Sequence, residues 1–107
     1  MASYYDMYGC KLLSLESAKS YVEHALTVKF AIRESDYFGK YYRHDFGDGE
    51  IVEIKTNFDS SEDAWIEENF KEYPVLLYVN KTMRHETFEK LLDATGREFK
   101  LLRREQI

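Results

Sequence analysis

The fold is decided by residues 28–57, which read VKFAIRESDYFGKYYRHDFGDGEIVEIKTN. Apolar and polar residues alternate along three parts of this stretch, and a period of two residues is typical of strands with one buried face. Turns around Gly39 and at Gly47-Asp48-Gly49 separate these parts, because glycine readily adopts the positive φ angles of tight hairpins. The pattern predicts an antiparallel meander with strands at 28–33, 41–46 and 50–57.

Upstream of the meander, apolar residues recur with the period of an α-helix. We expect the first helix within residues 12–26, with Ser14 as a suitable N-cap. Its buried face is predicted to consist of Leu15, Ala18, Val22, Ala25 and Leu26. A short strand is expected at 8–13. The aromatic and acidic residues at 4–8 are interpreted as a frayed chain end or a second aromatic-acidic surface.

Downstream, residues 75–80 read VLLYVN and are apolar on both faces, which is typical of a central strand. A turn is expected at 80–82, with Thr82 as a cap for the second helix. The inner face of that helix is predicted to contain Phe88, Leu91, Leu92 and Thr95. Gly96 is suited to end the helix, and a last strand is expected at 99–103.

These elements define an α+β fold: a single, mainly antiparallel sheet of about five strands, with two helices packed on one face. The length of 107 residues is sufficient for one core, so we expect one domain spanning 1–107. Between the third strand and residue 75 lies an acidic connection, NFDSSEDAWIEENFKEYP at 57–74. We expect it to be a loop with one helical turn.

The acidic connection dominates the charge of the chain. Six acidic residues and one lysine lie between Asp59 and Glu72, and they account for the whole net charge of −5. A negative chain of this kind is not suited to direct nucleic-acid binding, which requires a basic surface. Such a patch instead attracts a basic protein partner and accelerates its docking. Trp65, the only tryptophan, lies among these acids.

Other classes of protein find little support in the sequence. No apolar run approaches the ~20 residues that span a bilayer, and the N-terminal residues do not resemble a secretory leader. We therefore expect a cytoplasmic protein without membrane association. Cys10 is the only cysteine, which excludes an internal disulfide and a multi-cysteine zinc site. No cofactor and no metal site are predicted.

No recognised catalytic motif is present, and we expect the protein not to be an enzyme. The histidines are isolated, and Gly47-Asp48-Gly49 joins two strands rather than a strand and a helix, unlike a phosphate-binding loop. A small enzyme using His44 and nearby carboxylates remains a lesser alternative. Contact residues are instead expected on the acidic and aromatic surface, because tryptophan and tyrosine are common interface hot spots. The first set is Asp59, Glu62, Asp63, Trp65, Glu67 and Glu68, and the second set is Tyr37, Tyr41 and Asp45.

The runs YFGKYYRHDFGDGEIVEIKTNFD, EYPVLLYVNKT and FKLLRRE resemble small bacterial immunity proteins of polymorphic-toxin and contact-dependent growth-inhibition systems. The resemblance spans roughly residues 12–104. It implies a non-enzymatic inhibitor that binds one cognate basic toxin domain as a 1:1 heterodimer in the cytoplasm. The toxin would be a nuclease, with an RNase favoured, and its active site or substrate cleft would be occluded. The alternative is an interaction or regulatory adaptor domain without a toxin partner.

Overall fold

The computed structural model describes residues 2–11, 14–37, 39–94, 96 and 98–107. The elements, in chain order, are β1 (Tyr4–Cys10), α1 (Leu15–Leu26), β2 (Ala31–Ser35), β3 (Gly39–Asp45), β4 (Ile51–Thr56), β5 (Phe58–Asp59), β6 (Ala64–Trp65), β7 (Val75–Thr82), α2 (His85–Ala94) and β8 (Lys100–Gln106). A short 3-10 turn at Glu68–Phe70 lies between β6 and β7.

The main sheet has six strands in the order β2-β3-β4-β7-β1-β8, and every neighbouring pair is antiparallel. The predicted α+β class is therefore confirmed, with one strand more than expected in the main sheet. β5 and β6 form a separate two-stranded ribbon. β7 pairs with β4 on one side and β1 on the other, as expected of a strand that is apolar on both faces.

An N-terminal strand was predicted at 8–13, whereas β1 spans Tyr4–Cys10 and includes the residues that were interpreted as a frayed end or an aromatic-acidic surface. Its residues do not fray: β1 lies inside the sheet between β7 and β8, and Asp6 is 2% exposed. The buried carboxylate accepts hydrogen bonds from Nε and Nη2 of Arg104, both at 2.9 Å. Nη2 of Arg104 also donates to Glu89 of α2 at 2.8 Å. Because Arg104 is far along the chain, no local pattern could reveal that Asp6 is paired.

Both helices pack on one face of the sheet, against the apolar side of β4 and β7. The core there includes Val22 of α1 and Leu92 of α2, both almost fully buried. Ser14 caps α1, because its hydroxyl accepts a hydrogen bond from the backbone N–H of Ser17 at 3.1 Å. Among the described residues, no helix is long and apolar enough to cross a membrane.

The predicted inner face of α2 and the predicted start of the first meander strand differ from the structure. Leu91 is 39% exposed on the outer side of α2, whereas Phe88 and Leu92 are buried. Thr95, also predicted on the inner face, lies outside the described residues. Ile32 is 62% exposed because β2 is an edge strand, and it begins at Ala31 rather than at residue 28.

The turn expected at 80–82 does not exist, because β7 continues through Thr82. An irregularity in the register with β1 lies at this point, and Lys81 adopts a positive φ of 56°. A bulge of this kind produces the same local signal as a turn. Thr82 is buried, donates to Glu50 at 2.7 Å and accepts from the backbone N–H of Arg84 at 3.1 Å.

A second, smaller apolar cluster lies on the face of the sheet away from the helices. Met7, Leu76 and Tyr73 form its buried part, and Phe70 packs against them. Tyr73 and Phe70 belong to the acidic connection, which therefore returns across this face. Gly9 permits the close approach, since a Cβ atom there would lie 2.5 Å from Cγ of Tyr73.

Candidate protein-binding site

The first half of the acidic connection is a small β-hairpin, which we call the acidic hairpin (residues 58–65). Phe58 pairs with Trp65 and Asp59 with Ala64. Asp59 holds the tip together, because its Oδ1 accepts hydrogen bonds from the backbone N–H of Ser61 at 2.9 Å and the hydroxyl of Ser61 at 2.6 Å. The acidic connection was predicted to be a loop with one helical turn. The 3-10 turn at Glu68–Phe70 agrees with that prediction, whereas the two short strands of the hairpin were not expected.

The Ser61 hydroxyl and the nearby backbone N–H groups lower the pKa of Asp59 below its ordinary value. The carboxylate is thus negatively charged throughout the physiological range. Glu62 and Asp63 follow it at the tip, and both are exposed. Asp63 adopts a positive φ of 51°, which lets the chain reverse between the two short strands. Three acidic side chains are therefore presented on one compact projection.

Phe58 and Trp65 form an exposed aromatic pair on the acidic hairpin. Their ring centroids are 5.6 Å apart with an interplanar angle of 82°, an edge-to-face arrangement. Each side chain is 37% exposed. The sequence interpretation selected Trp65 and overlooked Phe58. Phe58 could be recognised as the partner of Trp65 only once the hairpin was known, because cross-strand neighbours in a hairpin are normally side-chain partners.

Tyr37, from the turn between β2 and β3, lies beside the acidic hairpin. Its carbonyl oxygen accepts a hydrogen bond from the backbone N–H of Ser60 at 2.9 Å. Its side chain is 60% exposed. The backbone of Tyr37 is therefore adjacent to Ser60 of the acidic hairpin.

Asn57 fixes the hairpin to the domain. Its side chain is buried and its amide nitrogen donates to the carbonyl oxygens of Phe70 and Tyr73, both at 3.0 Å, and at 3.4 Å to that of Glu67. Its amide oxygen accepts from the backbone N–H of Glu67 at 2.7 Å. One side chain thus holds both ends of the acidic connection in place. Its importance was not apparent from sequence, because asparagine in a polar stretch ordinarily indicates an exposed turn.

Glu67 differs from the hairpin acids because its carboxylate is used within the domain. It accepts from Nη1 of Arg103 at 3.0 Å and from Nη2 at 3.3 Å. It also accepts from the hydroxyl of Tyr78 at 3.2 Å. Burial, followed by the charge and hydrogen bond of Glu67, raises the pKa of Tyr78, which keeps its hydroxyl protonated as a donor. Glu68 next to it is exposed, with Lys71 at 3.9 Å.

The remaining predicted contact residues, Tyr41 and Asp45, both lie on β3. Asp45 is the last residue of β3, whereas Tyr37 lies just before its first residue. The length of the strand therefore separates the two residues by roughly 20 Å. The Oδ1 atom of Asp45 accepts from the backbone N–H of Gly47 at 2.8 Å. Tyr41 is partly buried and pairs with Arg33 across β2 and β3. It lies on the sheet face away from the helices, because its neighbour Tyr42 belongs to the helix-side core.

His44, the candidate catalytic residue of the enzyme alternative, makes packing and hydrogen-bond contacts within the domain. The Nδ1 atom of His44 lies 2.9 Å from the carbonyl oxygen of Lys29, and its ring packs edge-on against Phe46 at 4.5 Å. Cys10 is buried. In the described part of the chain, no group of three or more histidine, cysteine or acidic residues could hold a metal ion.

Comparison with known protein families, curated proteins and solved structures finds no match to this chain.

Proposed function

We propose that this protein is a bacterial immunity protein that binds and neutralises a cognate toxin in the cytoplasm. The acidic hairpin is the observation that carries the proposal: it combines the carboxylates of Asp59, Glu62 and Asp63 with the exposed rings of Phe58 and Trp65. In this proposal the hairpin enters the substrate cleft of the toxin and forms a 1:1 complex.

The charge of the hairpin favours a nuclease as the partner, with an RNase first. A nuclease must hold phosphates, so its cleft is positive, and a compact acidic projection competes for the same place. Complementary charge also accelerates encounter, by one to three orders of magnitude at low salt. Rapid capture suits a protein that must disarm a toxin before the toxin damages its own cell.

Two further features favour a tight interface: the exposed aromatic pair and the hydrogen bonds of Asn57. Exposed tryptophan and tyrosine beside charge are typical of hot spots. Because Asn57 already fixes the hairpin, less conformational entropy is lost when a partner binds. Trp65 and Tyr37 are therefore proposed as the central contacts, with Asp59, Glu62 and Asp63 around them.

The test is to express the C-terminal domain of the protein encoded immediately upstream in a sensitive bacterium, with and without this protein. We expect killing that the wild-type chain relieves, and degraded RNA in the dying cells. A Glu62→Lys/Asp63→Lys variant should protect less. An Asp48→Lys/Glu86→Lys variant carries the same charge change on exposed residues elsewhere and should protect fully.

Each result decides between the two functions considered. Degraded DNA instead of RNA would retain the immunity proposal and change the toxin class. Absence of killing, or killing that the wild-type chain does not relieve, would contradict the proposal and favour an adaptor domain that uses the same surface for another partner.

A further inference from the structure

Two arginines are neighbours on the face of the sheet that lies away from the helices. Arg33 on β2 is opposite Tyr41, and Arg43 on β3 is opposite Ala31. Both arginines point away from the helices, because Tyr42, the residue between Tyr41 and Arg43, belongs to the helix-side core. Diagonal neighbours on adjacent strands lie ~7–8 Å apart. Both guanidinium groups can therefore reach the same oxyanion.

Neither arginine forms an ion pair within the described part of the chain. Glu53 on β4 lies directly across from Arg43, but its carboxylate is 3.5 Å from Nζ of Lys55. Asp45 lies two residues further along β3, and its carboxylate accepts from the backbone N–H of Gly47. Adjacent like charges without a counter-ion are unfavourable, so the arginine pair is suited to an anion supplied by a partner.

The head group of Arg43 has no hydrogen bond to the described residues. Its Nε atom is buried without a partner, whereas its Nη atoms reach the surface. Arg104 shows the opposite arrangement, because its Nε donates to Asp6 within the domain. A guanidinium with unused donors is matched by the two oxygens of a carboxylate. Ala31, opposite Arg43, is exposed and small, and it leaves room for such a group beside the strand.

The arginine pair is close to the acidic hairpin. Tyr37, in the turn between β2 and β3, accepts a hydrogen bond from the backbone N–H of Ser60 at 2.9 Å. Arg33 is two residues and Arg43 four residues from the turn end of its strand, which places both within ~15 Å of the turn. A standard interface covers about 800 Å² on each partner, a patch roughly 30 Å across. One partner seated on the hairpin would therefore also cover the arginines.

We propose that Arg33 and Arg43 form a carboxylate-binding site, occupied by acidic side chains of the same partner that docks on the acidic hairpin. The inference rests on the proposed function and adds that the toxin carries acidic residues beside its positive cleft. A polynucleotide is disfavoured as the occupant, because the neighbouring hairpin is acidic and the chain has a net charge of −5. Charges of both signs in one interface also fix the orientation of the partner.

The first test compares association and dissociation rates with the upstream toxin domain for wild type, Arg33→Gln/Arg43→Gln and the control Lys90→Gln/Lys100→Gln. The control removes the same charge from exposed residues of α2 and β8, and β8 is the sheet edge opposite β2. Because both variants make the chain more negative, neither should associate more slowly with a basic toxin. The arginine variant alone should dissociate at least about tenfold faster.

Equal dissociation rates of the two variants, with the wild-type chain still protecting cells, would overturn the arginine site and leave the proposed function standing. Arg33→Gln alone should show an intermediate dissociation rate. This single variant changes an exposed side chain, so it retains the test if substitution of the partly buried Arg43 destabilises the sheet.

The second test does not require the toxin. The ¹⁵N-labelled chain is titrated with glutarate at constant ionic strength and followed by NMR, with glutaramide as the uncharged match. We expect glutarate to shift the amide signals of Arg33 and Arg43 saturably, and glutaramide to shift neither. The Lys90→Gln/Lys100→Gln control should bind glutarate like wild type. Absence of saturable shifts, equal shifts from glutaramide, or tighter binding of inorganic phosphate would each overturn the carboxylate site. Saturable glutarate shifts without any toxin binding would contradict the proposed function and this partner, but not the site.

Discussion

The acidic hairpin at 58–65 and the return segment at 66–74 are adjacent in the chain, and each contains three acidic residues. The hairpin presents Glu62 and Asp63 at an exposed tip, where Asp59 accepts hydrogen bonds from Ser61 of the same turn. The return segment packs on the sheet through Phe70 and Tyr73, and Glu67 bonds to Arg103. Two adjacent segments with the same number of acidic residues therefore have two roles, one available for a partner and one internal.

Asn57 precedes the acidic hairpin and bonds to the return segment, so we expect the largest effect from its substitution. Asn57→Ala removes hydrogen bonds to the carbonyls of Phe70 and Tyr73 and leaves buried groups without partners. We expect a loss of about 3 kcal/mol in the free energy of unfolding, since each buried bond and each orphaned group contributes ~1 kcal/mol. Urea denaturation measures the loss.

The matched control is Asn69→Ala, which removes the same side chain from an exposed position in the 3-10 turn. It should change stability by less than about 0.5 kcal/mol. Equal stability of the two variants would mean that Asn57 does not anchor the connection.

The packing of the return segment on the sheet requires that residue 9 has no side chain. In Gly9→Ala the new Cβ would lie 2.5 Å from Cγ of Tyr73 and 2.7 Å from Cδ1 of Leu102. Overpacking of this kind costs about 1–3 kcal/mol, again measured by urea denaturation. In a Tyr73→Leu background the added cost of Gly9→Ala should be smaller. Additive effects in that double-mutant cycle would show that the two residues are not in contact.

Glu67 and its neighbour Glu68 offer a direct contrast within the return segment. Glu67→Gln weakens the bonds to Arg103 and Tyr78, and we expect a loss of about 1 kcal/mol, because the pair is only partly buried. Glu68→Gln should have almost no effect, since this side chain is exposed and 3.9 Å from Lys71. Thermal unfolding measures both variants. Comparable losses in their free energies of unfolding would contradict the distinction between internal and available acids.

The smallest expected effect concerns the pH response of the hairpin tip. The Ser61 hydroxyl lowers the folded-state pKa of Asp59. A depressed carboxyl pKa stabilises the folded state above the unfolded pKa, and this stabilisation is lost as the pH falls through the folded pKa. Carboxyl ¹³C titration should therefore show Asp59 protonating at lower pH than an ordinary aspartate. Ser61→Ala should raise that midpoint, whereas Ser60→Ala should leave it in place.

Long alternating segments were predictable, whereas short or distantly paired ones were not. β3 and β4 followed from alternation around Gly47-Asp48-Gly49, and α1 followed from its apolar face and the cap at Ser14. The strand predicted at 8–13 overlaps only the end of β1, and the first four residues of β1 were missed because buried Asp6 depends on Arg104 at the other end of the chain. The hairpin was missed because two-residue strands are too short to produce a period. Most of the candidate contact residues could be selected by type and charge, but only the structure separates Glu67 from the hairpin acids.

The most direct test of the account measures how fast the upstream toxin domain associates with three forms of this protein over a range of salt concentrations. The forms are wild type, Glu62→Lys/Asp63→Lys and the control Asp48→Lys/Glu86→Lys. The account predicts that the hairpin variant associates at least about tenfold more slowly at low salt, with a shallower salt dependence. It also predicts that the control behaves like wild type. Equal rates and equal salt dependence for the two variants would contradict the claim that the acidic hairpin is the docking surface.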